Sequence, residues 1–150
     1  MFEKPTNELN EYLEKIKPTQ ITEYYQENKQ NVTDAKKAFY YYMKDVLGEK
    51  RIYLKDIYIG AGVSESYGEK ILTMEKHTKN RDLIIRFCLA GHFQLDEVNR
   101  ALKLYGMAPL YAKDRRDACI IVAIHNRIYE LSEIDNLLEA HNLKKISFEK

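Results

Sequence analysis

The stretch GVSESYGEKILTMEK, Gly62 to Lys76, sets the reading of this chain. Gly62 accepts the positive φ that a tight turn needs, and Ser64 has the side chain of a good helix N-cap. Around them, Ile57, Ala61, Val63 and Ile71 fall where two short helices joined by such a turn must touch each other. The spacing therefore predicts a helix near 53–60, a turn, and a second helix near 64–76.

Working outward, helical periodicity dominates and strand signals are scarce. Pro5 and Thr6 open a segment with Leu9, Tyr12, Leu13 and Ile16 on one face, and Pro18 and Thr19 open another with Ile21, Tyr24 and Tyr25. A third helix is expected from Thr33 to a stop at Gly48, burying Ala38, Phe39, Tyr42, Met43, Val46 and Leu47. The run Tyr40–Tyr41–Tyr42 reads as packing rather than a base-stacking platform, because tyrosine at helix spacing usually buries its ring and keeps its hydroxyl wet. Beyond residue 76, helices are expected near 80–92, 94–105, 114–128 and 131–142, with Asn80 or Asp82 starting the first and Gly106 ending the second. ACIIVAI, Ala118 to Ile124, is apolar all round, but its charged lead-in favours a helix buried on most sides over a strand. The fold class is thus all-α: one domain over 1–150, with N-terminal helices in 1–48, a core in 49–106 and C-terminal helices in 107–150.

Composition narrows the function. Of the 150 residues, 45% are hydrophobic and 31% charged, a mix suited to one globular domain. No apolar run approaches the roughly 20 residues that a membrane span needs. The opening MFEKPTNELNEYLEK has neither the basic start nor the apolar stretch of a secretory signal, so a cytoplasmic location is expected. Cys88 and Cys119 sit in apolar stretches, as buried free thiols do in a reducing compartment. The net charge of +1 is no mark of an obligate nucleic-acid binder, and the only basic surplus, eight groups against six, falls in 49–92.

Catalytic signals are thin. His77, His92, His125 and His141 lack a second ligand at helical spacing, so no metal or other cofactor is expected, and His125 reads as a partly buried polar residue. No nucleophile elbow or glycine-rich phosphate loop is present, so an enzyme is not expected. Asn80–Asp82 (NRD) and Arg115–Asp117 (RRD) each sit at a helix start, where aspartate complements the helix dipole. Their arginines are read as structural partners of the opposite motif's carboxylates.

The turn and helix of 54–76, together with NRDLIIRFCLAGHFQLDEVNRAL after it, resemble the λ-repressor-like, or XRE, family of bacterial regulators. The longer pattern through LYAKDRRDACIIVAI is similar to regulators in which an arginine-aspartate pair opens one helix and RRDA opens a later one. The resemblance implies a five-helix helix-turn-helix core near 35–105 that binds duplex DNA as a homodimer. Its base-reading positions fall on Ser64, Glu65, Ser66, Glu69 and Lys70, with Lys76, Lys79 and Arg81 beside them to grip phosphates. Two positions depart from the family pattern: Tyr58 stands where a small residue is usual, and Gly68 where a branched apolar one is. Glu65 and Glu69 also oppose the phosphate field. An alternative follows: a scaffold that has lost DNA contacts and serves as an adaptor for a protein or peptide partner.

Overall fold

The structure, a computed structural model, describes residues 37–147. Its contacts divide the chain into two units, Met1–Ala38 and Phe39–Lys150. The helices expected within residues 1–36, and the opening expected at Thr33, lie outside the described residues. Those described are all-α, with no strand among them: α1 Ala38–Lys50, α2 Leu54–Ala61, α3 Glu65–Leu72, α4 Arg81–Ala90, α5 Leu95–Leu104, α6 Arg115–His125 and α7 Leu131–Ala140. None is long and apolar enough to cross a membrane.

Helix α4 is the centre of the core. Seven consecutive residues, Leu83 to Leu89, are buried, so this helix is enclosed on every face. It packs against α2 and α5, while α3 lies on α2, and α6 joins α7 to α5. The Phe39 ring of α1 meets the Tyr105 ring edge-on at 4.9 Å, and Lys50 pairs with Glu97 of α5 at 2.9 Å. Full burial of side chains such as Ile84, Ile85, Phe87 and Leu89 stabilises the fold by about 1.5–3 kcal/mol each. The segment expected to be buried on most sides, 118–124, is less enclosed: Ile120, Ala123 and Ile124 are buried, but Val122 is exposed. Tyr40 and Tyr42 pack against the core, in keeping with a packing role, but Tyr41 stays open.

Six of the seven helices end in one way. The residue after the last turn takes the left-handed conformation, and the next residue's N–H reaches back to a carbonyl five residues earlier: Ile52 to Leu47, Val63 to Tyr58, Phe93 to Cys88, Met107 to Leu102, Ile128 to Ala123 and Leu143 to Leu138. Each of those six donors belongs to an apolar residue that packs on the core. Only Gly62 and Gly106 supply the left-handed position with glycine; Arg51, His92, Arg127 and Asn142 hold it at φ of 56 to 59°. This corrects the stop expected at Gly48. The helix continues to Lys50 because Ile52 anchors the cap and Arg51 takes the strained φ. Helix α3 ends at Leu72, four residues before its expected end. There the Thr73 hydroxyl donates to the Glu69 carbonyl, and Met74 turns left-handed at φ 65° to pack inward.

Candidate nucleic-acid interface

Helices α2 and α3 are joined by Gly62, Val63 and Ser64. Gly62 sits at φ 74°, and the Ser64 hydroxyl accepts from the Tyr67 N–H at 3.2 Å, capping α3. Ile57, Ala61 and Ile71 are fully buried and Val63 half-buried. The two helices approach closely because of a size exchange. A Cβ placed on Gly68 would lie 2.5 Å from the Tyr58 ring, so the missing side chain on α3 leaves the room that the tyrosine of α2 fills. Burial, with added repulsion from Glu69, Tyr40 and Glu65, pushes the Tyr58 phenol up to about 12.

With Gly68, Ile71 and Leu72 facing inward, α3 turns Glu65, Ser66, Glu69 and Lys70 to solvent. Ser64 is exposed but partly engaged as the cap. The following loop is tied down: the Lys76 N–H donates to the Lys70 carbonyl, and the Lys76 ammonium sits 6.0 Å from the Tyr67 ring centre. Beyond it, the His77 ring stacks on Tyr105, whose hydroxyl accepts from the Thr78 N–H at 2.9 Å. Lys79 is exposed.

Arg81, expected among the phosphate contacts, is committed elsewhere. Its guanidinium forms a two-point pair with Asp117 at 2.9 and 3.0 Å and donates to the carbonyls of Ala108 and Pro109. Few of its donors remain for a phosphate. Arg116 mirrors it, gripping Asp82 at 2.8 and 2.9 Å and the carbonyls of Lys144 and Lys145. The two motifs therefore pair reciprocally, as read from the sequence. Burial raises the Asp117 carboxyl, but hydrogen bonds from Arg81 and the Tyr111 N–H, with the charges of Arg81 and Arg116, outweigh it and hold the group below the usual carboxylate range.

Sequence reasoning missed a second polar link. Arg86, inside the apolar run of α4, is 2% exposed, donating to the Ala61 carbonyl at 2.8 Å and the Ile146 carbonyl at 3.0 Å. Burial lowers its pKa, and the charges of Asp82 and Asp135 oppose that shift. Buried Asp135 accepts from the N–H groups of Ile146 and Ser147. One buried guanidinium thus ties the last carbonyl of α2, one residue before the turn, to the C-terminal segment 144–147. The only sequence signal was a lone arginine amid LIIRFCL.

Among the described residues no group of three His, Cys, Asp or Glu side chains converges to hold a metal. His125 is exposed rather than partly buried, and Cys119 is half-buried where Cys88 is fully so. A cleft of about 450 Å³ between the ends of α2 and α4 and the start of α7 has a lining as polar as it is apolar, with His92, Glu130 and Ser132 beside Ile59, Leu89 and Leu131, and includes no residue of α3. Comparison with known proteins adds nothing to this geometry: no family model, no curated protein and no solved structure matches the chain.

Proposed function

We propose that the protein is a helix-turn-helix transcription regulator of the λ-repressor-like class that binds duplex DNA as a homodimer in the cytoplasm, without catalysis or cofactor. The observation that carries this reading is the α2–turn–α3 unit. Its second helix is capped by Ser64, fixed by the Tyr58–Gly68 fit, and turns an uncovered polar face outward. A short helix presented in this way suits the major groove. In this reading Ser66 faces base edges, Glu65 and Glu69 tune readout, and Lys70, Lys76 and Lys79 meet phosphates. Glutamate accepts from cytosine N4 at a cost in phosphate repulsion. The test is fluorescence anisotropy on random and selected duplexes over a range of salt. Glu69→Gln should tighten binding on every sequence, whereas Ser66→Ala should alter sequence preference.

The exposed pair Glu65 and Glu69 favours a second reading, an adaptor that takes a basic protein or peptide partner on α3. Absence of duplex binding even at low ionic strength decides for it, and Glu69→Lys should then abolish capture of that partner.

A further inference from the structure

The reciprocal ion pairs draw three chain segments together. Arg81 touches Asp117, Ala108 and Pro109, and Arg116 touches Asp82, Lys144 and Lys145. Residues 79–82, 108–117 and 144–145 therefore meet at one junction. Within it the four paired groups cancel, and Lys145 bridges Glu139 at 3.6 Å. The exposed cations left beside the junction are Lys79, Lys113, Arg115 and Lys144. Against them stands Asp114, whose carboxylate accepts from the Asp117 N–H as the cap of α6. Arg115 reaches only a carbonyl, that of His141 at 3.3 Å, which leaves its charge uncompensated. Chain geometry keeps Lys79 and Arg115 within roughly 20–25 Å of each other. Over that length one strand of a duplex presents about six phosphates.

Resting on the DNA-binding reading above, we propose that this junction is the main phosphate-gripping surface of the protein. Lys113, Arg115 and Lys144 join Lys79 in the role the sequence assigned in part to Arg81. The acidic outer face of α3 then contributes readout, and the sequence-independent attraction comes from the neighbouring junction. The partner chemistry is the regularly spaced phosphates of a nucleic-acid duplex, because the cations are borne by three separate segments rather than gathered into a single anion pocket.

The test is a salt titration of random-duplex binding by the full chain, comparing wild type with Lys79→Gln/Lys113→Gln/Arg115→Gln. Circular dichroism melts confirm that the variant folds, and Lys44→Gln/Lys55→Gln/Arg100→Gln, three exposed cations on other elements, serves as a charge-matched control away from the junction. The slope of log affinity against log salt should shrink by about two to three for the triple variant. Affinity should fall alike on all sequences, with the control close to wild type. If wild type binds but both variants keep its slope, or both lose it equally, the junction assignment is wrong and the DNA-binding reading stands. If wild type fails to bind duplex at low salt, both are overturned.

Discussion

Arg81 and Asp117, 36 residues apart, meet in a two-point ion pair, and their sequence neighbours Asp82 and Arg116 form a second pair with the charges exchanged. A planar guanidinium on a carboxylate fixes orientation as well as distance, so this double clasp holds the starts of α4 and α6 in register.

Asp117→Asn should destabilise the fold by about 3 kcal/mol, since it strips Arg81 of its counter-charge and weakens the bond to the Tyr111 N–H. Urea denaturation measures the loss. The pH dependence has a defined sign. The folded carboxyl lies below its unfolded value near 3.9, so its contribution is complete above that pH and is lost as pH falls through the folded value. The variant should therefore show a weaker loss of stability than wild type below about pH 4.

The reciprocal clasp was legible in the sequence because NRD and RRD are the same device placed at two helix starts. The all-α class, the Ser64 and Asn80 caps and the Gly62 turn were legible for similar local reasons. The helix near 80–92 was expected, but its burial on every face was not. Arg86 makes LIIRFCL look amphipathic, and only the carbonyls of Ala61 and Ile146, distant in sequence, permit its burial. The end of α1 was misjudged at Gly48, because Ile52, two places past the helix, anchors a left-handed Arg51, whereas Gly106 does take the left-handed position after α5. Of the candidate site, the outer face of α3 followed from the family resemblance. The diversion of Arg81 did not, since it depends on where residues 108–109 lie.

Gly68→Ala should lower stability by about 1–3 kcal/mol despite the better helix propensity of alanine, because the new methyl meets the Tyr58 ring. In a Tyr58→Leu background the same change should be far less costly. A thermal-melt double-mutant cycle reads the coupling, and additive effects would show that the two residues do not share that space.

Arg86→Met should cost about 2–4 kcal/mol by leaving two buried carbonyls without donors. Hydrogen exchange should quicken at the Ile146 amide and around the α2–α3 turn together, since one guanidinium holds both. Faster exchange at only one of them would break the proposed link between the C-terminal segment and the turn.

Arg127→Gly should stabilise the protein by about 0.5–1 kcal/mol, because Arg127 is exposed at φ 58° and glycine removes the strain of that conformation. Chemical denaturation checks the shift. An unchanged or lower midpoint would mean that the Arg127 side chain supports the cap.

Duplex binding through α3 and the junction is tested most directly by an amide NMR titration of the labelled full chain with a short duplex at low salt. Shifts should concentrate at Ser64–Lys70, at Lys76–Lys79 and at Lys113–Arg115, while α7 stays unmoved. A spectrum that does not change, or changes confined to α7 and the cleft around Leu131, would contradict it.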